Sequence, residues 1–219
     1  MQIYIRGNED QLAAIRTKLS DGHAIEQFDD PGTLPDRADT VVFDFLPGTQ
    51  PQALAGYGDL KKIKLFINAT RHSLAALVHE YALRPSGFYG FAGDPTFVER
   101  PLLEVSTWHG SPLPAVELCT QLSVAATAVA DRVGLVTPRI VAMIINEAYY
   151  TTMEGTATRT DIDTGMKLGT NYPIGPFEWS ARWGLANIYH LLVALYYDTH
   201  DERYKVCPLL KQEWLQASD

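Results

Sequence analysis

The chain has 219 residues, and 46% of them are hydrophobic, which is enough for one large domain or two small ones with a packed core. Its net charge of −8 argues against nucleic acids and anionic membrane surfaces as partners, because binding to phosphates depends on clustered lysines and arginines. Composition and charge therefore exclude a disordered chain and a polyanion-binding protein.

The first half of the chain alternates short β-branched or aromatic runs with helical patterns, as a parallel α/β sheet requires. Pro, Gly and Asp separate these pieces, which fits short connections within one layered domain. The spacing of Leu, Ile, Ala and Val predicts helices over residues 9–19 and 73–83. The predicted strands are residues 3–5, 24–25, 40–45, 63–67 and 87–91.

After about residue 133 the pattern contains helices alone. Thr158 and Asp161 have the spacing of a capping box, and Gly169 is placed to end that helix in the left-handed conformation. The sequence therefore predicts a Rossmann-like domain over residues 1–132 and a helical domain over residues 133–219. The predicted helices of the second domain are residues 138–154, 159–168 and 176–199.

Cys119 and Cys207 lie far apart, without a CxxC pair or metal-ligand spacing, so both are predicted to be buried thiols. Residues 1–10 carry charges and lack the continuous apolar stretch of a signal peptide, and the apolar runs are too short for a bilayer. We therefore expect a cytoplasmic protein without a bound metal or a membrane span.

A dense motif occupies residues 158–178, where the capping box and a Lys-Leu-Gly run precede the sequence Tyr-Pro-Ile-Gly-Pro-Phe-Glu. Its prolines and glycine suit a rigid corner between two helices. Together with residues 134–140, 146–148 and 184–210, the motif resembles the helical domain of 3-hydroxyacyl-CoA dehydrogenases. The resemblance implies a shortened Rossmann-like sheet followed by the C-terminal domain of that family, and a homodimer formed through this domain.

The resemblance also implies an NAD site after the first strand, where glycines let the backbone approach the pyrophosphate. Gly7 is the sole remnant here, because Glu9 and Leu12 stand at the second and third glycine positions. Glu9 and Asp10 bring negative charge to the place where a phosphate would lie. We therefore expect no NAD binding. A weak ribose-binding signal remains at Glu26, Asp29 and Asp30.

Two substrate-contacting features of the family are altered. The family's long helical insertion, which helps to hold CoA, is replaced by a short connection before the third strand. Residues 66–74 occupy the place of the Asn-Thr-Ser-Ser-Leu turn, whose first serine contacts the substrate hydroxyl. Depending on gap placement, His72 or Arg71 falls at that serine. Ser73 matches the second serine, and it also suits the N-cap of the following helix.

The catalytic histidine of the family aligns with Tyr89, whereas the glutamate that orients it is retained as Glu104. A phenol with an ordinary pKa of about 10 is a poor base at pH 7, and a neighbouring carboxylate raises that pKa further. A hydrogen bond between Tyr89 and Glu104 is the simpler expectation. Pro138 replaces the asparagine of the family and cannot hydrogen-bond a substrate, but Arg139 remains and can pair with an acid such as Glu104 or Glu147.

Three functions stay open. A dimeric scaffold without catalysis could bind an acyl-type small molecule or a partner protein, and the loss of the glycines, the histidine and the asparagine favours it. An active 3-hydroxyacyl-CoA dehydrogenase of fatty-acid or related acyl-CoA metabolism would have to bind NAD in an altered way. A third possibility is a different reaction without a nucleotide. The cleft candidates for either reaction are Glu104, Tyr89, Ser73, His72 and Arg139.

Overall fold

A computed structural model describes residues 1–19, 22–83 and 87–217. The chain forms two compact units, Met1–Val136 and Thr137–Asp219. The boundary falls after residue 136, compared with residue 132 in the sequence-based prediction. The first unit is an α/β unit and the second is helical, so the predicted fold class is confirmed.

Seven strands form the centre of the first unit: β1 (Gln2–Arg6), β2 (Ala24–Gln27), β3 (Thr40–Asp44), β4 (Lys64–Asn68), β5 (Gly87–Phe91), β6 (Leu103–Thr107) and β7 (Ala126–Ala128). They lie in the order β2–β1–β3–β4–β5–β6–β7. The pairing is parallel except between β5 and β6, which run antiparallel. The prediction of strands lacked β6 and the three-residue β7, whose half-buried Ala-Thr-Ala sequence has no apolar pattern.

Helices cover both faces of this sheet: α1 (Glu9–Lys18), α2 (Leu74–Tyr81), α3 (Pro95–Val98) and α4 (Leu113–Gln121). Leu12 of α1 and Leu118 of α4 pack with Phe43 on one face, whereas Leu77 of α2 packs with Val42 on the other. Because both faces are covered, all five residues of β3 are buried. The core of the first unit therefore has two layers, one on each side of the sheet.

The second unit contains α5 (Thr137–Met153), α6 (Arg159–Thr170), α7 (Pro176–Trp183), α8 (Leu185–Thr199) and α9 (Pro208–Ala217). The predicted single helix over residues 176–199 is wrong, because Gly184 has φ +90° and separates α7 from α8. The predicted stop at Gly169 is also wrong. The left-handed residue is Asn171, with φ +56°, so Gly169 lies inside α6.

Both cysteines are buried free thiols, as predicted. Burial raises the pKa of the Cys119 thiol to about 12, so this group stays protonated at neutral pH. Among residues 1–19, 22–83 and 87–217, no helix has the length and apolar character that a membrane crossing needs.

Candidate functional site

The turn from β1 to α1 is closed by its own side chains. Asn8 caps α1, because its Oδ1 accepts the N–H of Gln11 at 3.0 Å. The Gln11 Oε1 accepts the N–H of Asn8 in return, also at 3.0 Å. A Cβ on Gly7 would lie 2.7 Å from that same Oε1. The packing of Gln11 therefore accounts for the glycine at position 7, and no ligand is needed to explain it.

These residues do not fit the pyrophosphate of NAD. Glu9 and Asp10 form the first turn of α1, where their carboxylates repel a further anion. Leu12 is buried in the core at the third glycine position, so α1 lies against the sheet through a leucine side chain. The N–H groups of Asn8 and Gln11 are already bonded. The sequence-based expectation of an unsuitable glycine loop therefore agrees with the geometry of the turn.

A small pocket of about 180 Å³ lies beside this turn. Ligand pockets ordinarily have volumes of about 300–1,000 Å³, so the space is small for a dinucleotide. Of the three ribose candidates, Asp29 lines the pocket. Glu26 instead accepts a hydrogen bond from Gln2, and Asp30 caps the 3-10 turn Pro31–Thr33. The lining residues are Ile5, Arg6, Gly7, Leu12, Gln27, Phe28 and Asp29.

A buried ion pair, which the sequence analysis missed, forms the floor of this region. Nε of Arg6 donates to Asp44 at 3.0 Å, and Nη2 pairs with the second oxygen of the same carboxylate. Asp44 is fully buried and also accepts the hydroxyl of Tyr57 at 2.8 Å. Burial, followed by the charge of Asp44, holds the pKa of Tyr57 well above its usual value, so Tyr57 remains a donor. Arg6 is therefore engaged by Asp44 and is unavailable to a phosphate.

The register of β5 and β6 overturns the expected hydrogen bond between Tyr89 and Glu104. Tyr89 lies opposite Thr107 and Phe91 lies opposite Val105, so Glu104 projects from the other face of the sheet. The Tyr89 ring packs on Phe66, with ring centroids 4.8 Å apart. Burial, followed by the nearby thiol of Cys119, raises the pKa of Tyr89, so this phenol is a still poorer base than expected. The two candidates do not form one site.

Glu104 is buried and bonded to backbone. Its Oε2 accepts the N–H of Val136 at 2.9 Å. On the same face, the neighbouring chain presents Gly90 within β5 and Ala92 just after it. Neither residue has a side chain that can exchange a proton. The glutamate of the motif is therefore present, but the positions beside it offer no general base.

The turn from β4 to α2 holds the other candidates of the first unit. Ser73 is the N-cap of α2, with its hydroxyl accepting the N–H of Ala76 at 3.3 Å. Asp131 adds a second cap that the sequence analysis missed: its carboxylate accepts from Leu74 and Ala75 at 2.7 and 2.9 Å. The start of α2 is therefore fully occupied by side chains of the protein.

His72 is half-buried in this turn. Burial, followed by the positive charge of Arg71, lowers the pKa of His72, so its imidazole is neutral at pH 7. Burial likewise lowers the pKa of Arg71, and the carboxylate of Asp94 opposes that shift. The turn thus offers a neutral imidazole beside a desolvated guanidinium.

Arg139, the last cleft candidate, lies on α5 in the second unit. Its guanidinium carbon is 5.8 Å from the ring centroid of Tyr204, and its Nη1 donates to the hydroxyl of Tyr204 at 3.4 Å. Both contacts join elements of the helical unit. Arg139 therefore packs on Tyr204 within that unit.

The dense motif of residues 158–178 builds the corner between α6 and α7. The buried carboxylate of Asp163 accepts the N–H groups of Phe177 and Glu178, at 2.8 and 3.2 Å. A Cβ on Gly175 would overlap that carboxyl group, so this position needs glycine. Glu178 in turn accepts the N–H of Gly175 at 3.0 Å and pairs with Lys167. The predicted rigid corner is what this part of the motif forms.

Metal-ligating side chains do not cluster in the described part of the chain, where no group of three His, Cys, Asp or Glu residues could hold an ion.

The second unit, together with the residues that immediately precede it, matches a known protein family. Residues 116–216 match the family model for the 3-hydroxyacyl-CoA dehydrogenase C-terminal domain. The 3-hydroxyadipyl-CoA dehydrogenase of Escherichia coli K12 is 47% identical over 90 residues. Residues 116–216 therefore form a C-terminal domain of the 3-hydroxyacyl-CoA dehydrogenase type. A probable 3-hydroxybutyryl-CoA dehydrogenase of Bacillus subtilis is 33% identical over 108 residues.

These alignments cover 41% and 49% of this chain, but 19% and 38% of the two relatives. The chain thus spans well under half of the curated dehydrogenases that it matches. The crystal structure of (S)-3-hydroxybutyryl-CoA dehydrogenase from Ralstonia eutropha covers 99% of this chain and 94% of its own, with a TM-score of 0.77 and 20% identity. At that identity the likeness establishes the fold and leaves the activity open.

Proposed function

We propose that this protein is a dimeric scaffold without NAD-dependent dehydrogenase activity, which binds an acyl-type small molecule or a partner protein. The observation that carries this proposal is the surroundings of Glu104. Removing a proton from a substrate hydroxyl requires a side-chain base within hydrogen-bond reach. Gly90 and Ala92 cannot supply one, Tyr89 lies on the opposite face, and Glu104 accepts the N–H of Val136. His72 is a neutral imidazole, but it lies in the β4–α2 turn and not at a strand position opposite Glu104.

The β1–α1 turn supports the same proposal independently. A dinucleotide needs free N–H groups and room for its pyrophosphate at the start of α1. Here the cap formed by Asn8 and Gln11 uses two of these N–H groups, and Glu9 and Asp10 oppose further negative charge. No cofactor is therefore part of the proposal.

We also propose that the chain forms a homodimer through the second unit. The proposed location of the protein is the cytoplasm. The second unit exposes large apolar side chains, among them Leu168 of α6 at 84% and Tyr197 of α8 at 81%. Apolar surface of this kind is typical of regions that a partner covers when the side chains form a patch. Sedimentation of the wild type should give a dimer. Leu168→Glu should raise the monomer fraction, whereas Leu113→Glu, at an exposed leucine of the first unit, should not.

Titration with NADH tests the lack of cofactor binding. NADH fluorescence and the thermal unfolding midpoint should stay unchanged up to millimolar NADH, because a ligand of the folded state must otherwise raise its stability. Saturable binding in the micromolar range would contradict the proposal, and turnover of acetoacetyl-CoA with NADH would replace it with the active dehydrogenase.

Titration with butyryl-CoA separates the two kinds of scaffold. An increase in the unfolding midpoint that saturates would support an acyl-type ligand. An unchanged midpoint would remove that ligand class and leave the partner protein.

A further inference from the structure

The segment of residues 129–136, called the strap below, follows β7 and is bonded to several elements of the first unit. The N–H of Val129 donates to the carbonyl of Val105 on β6 at 2.9 Å. The N–H of Gly134 donates to the carbonyl of Thr70, after β4, at 2.8 Å. The strap has no regular secondary structure over most of its length, so these separate contacts hold it in place.

Two carboxylates provide its strongest attachments. Asp131, within the strap, accepts the N–H groups of Leu74 and Ala75 at the start of α2. Glu104, on β6, accepts the N–H of Val136 at the end of the strap. Hydrogen bonds to an ionised acceptor are roughly twice as strong as neutral ones. The acceptor of one attachment therefore lies in the strap, and the acceptor of the other lies in β6.

The docked strap has an unfavourable backbone. Gly134 and Leu135 are consecutive residues with φ of +80° and +47°. The left-handed region suits glycine but is disfavoured for leucine, so the docked contacts hold Leu135 against its own preference. Release of the strap would relieve this strain.

An unsatisfied polar group lies on the same face of the sheet as Glu104. Ser106 is fully buried, and its hydroxyl has no hydrogen-bond partner in the part of the chain that the structure describes. A Cβ on Gly90 would come within 2.7 Å of that hydroxyl, and Leu74, which Asp131 caps, also borders Gly90. A buried hydroxyl without a partner favours any state in which water can reach it.

We propose that the strap is a conformational switch, which undocks from the first unit as one cooperative segment while the sheet remains folded. Undocking breaks the bonds of Asp131 and Glu104 together, and it removes the Asp131 cap from Leu74, whose side chain borders Gly90 beside Ser106. Local openings of this kind occur in contiguous segments and leave the most stable strands intact.

Native-state amide hydrogen exchange on the full chain, followed by NMR, tests the switch. Five backbone amides donate the hydrogen bonds that hold the strap. These five amides should exchange at one common rate, faster than the amides of β3. Glu104→Gln weakens a charge-assisted bond and should accelerate all of them by about tenfold, with the β3 amides unchanged. Glu117→Gln, at an exposed acid on α4, is the matched control and should change none. The five amides are those of Leu74, Ala75, Val129, Gly134 and Val136.

Two results would overturn the switch. Glu104→Gln could accelerate the Val136 amide alone, which would mean that the contacts open one by one. The strap amides could also exchange at the rate of β3, which would mean that they open in global unfolding. If Glu104→Gln does not fold, Asp131→Asn carries the same test from the other anchor, since Asp131 is half-buried. Amide exchange needs no ligand, so its outcome is separate from that of the NADH titration.

Discussion

The α6–α7 corner and the β1–α1 turn both begin a helix. In both, side-chain oxygens accept the N–H groups that have no partner within the helix. In the corner, the carboxylate of Asp163 accepts two N–H groups of α7 and fills the space beside Gly175. In the turn, the side-chain oxygens of Asn8 and Gln11 each accept the backbone N–H of the other residue at the surface. The corner lies in the segment that matches the family model, whereas the turn lies outside it.

The difference separates motif residues that stabilise the fold from motif residues that bind a ligand. The corner motif is retained because a buried carboxylate and a glycine fit each other, and that fit serves stability. The glycines of a dinucleotide loop serve a ligand, so their loss leaves a well-folded turn. A strong match in the second unit therefore establishes ancestry and fold, without implying that the first unit is active.

Gly175→Ala should produce the largest effect. The added Cβ would overlap the carboxyl group of Asp163, so the corner must shift or lose its cap, at a cost of about 3 kcal/mol in the free energy of unfolding. Urea denaturation measures this change. Gly165→Ala is the matched control, because a Cβ there meets no atom within 4 Å and should stabilise α6 by about 0.5–1 kcal/mol. Equal stability of the two variants would show that the corner is not tightly packed.

Asp163→Ala removes the acceptor for both N–H groups of α7. We expect a loss of about 2 kcal/mol, because a partly buried helix start keeps two donors without a partner. Thermal and urea unfolding report the change. Asp161→Ala, an exposed acid of the same helix, should cost much less, and a similar cost for both would contradict the assigned cap.

Asn8→Ala tests the turn in the same way and should cost about 1 kcal/mol, the usual value of an exposed N-cap. The same urea titration measures it. Because Asn8 is exposed and Asp163 is buried, this loss should be smaller than that of Asp163→Ala. The proposed lack of NADH binding should persist in the variant, since Glu9, Asp10 and Leu12 remain in place.

The smallest effect concerns pH. The hydrogen bond from Lys167, followed by that from the Gly175 N–H, lowers the pKa of Glu178 in the folded state. The resulting stability is present above the ordinary glutamate pKa of about 4.3 and is lost as the pH falls through the lowered value. Glu178→Gln should therefore be less stable than the wild type at pH 7, with the difference shrinking as the pH falls through the lowered pKa of Glu178. A difference that grows with acidification would contradict the lowered pKa.

Patterns local in the chain predicted most elements. The buried run of β3 and the spacing of α2 were read correctly within two residues, because their periodicity reflects burial on one or two faces. Ser73 was recognised as an N-cap candidate for the same reason. The break at Gly184 and the stop at Asn171 were missed, since several residues near each helix end can adopt the left-handed conformation.

Pairings between distant residues decided the candidate site. Alignment placed Tyr89 and Glu104 together, but a one-residue difference in strand register puts neighbouring side chains on opposite faces. The bond between Arg6 and Asp44 spans 38 positions, and that between Asp131 and Leu74 spans 57. A buried acid such as Asp44 signals that a partner exists, although its identity depends on the strand order.

The sequence by itself determined the α/β unit, the helical unit and the family resemblance of the latter, because these follow from periodicity and from motif residues close in the chain. The tertiary structure alone decided that Glu104 bonds the strap, that Tyr89 belongs to the core and that Asp163 builds the corner. These roles depend on register and on contacts across the fold, which local patterns do not encode.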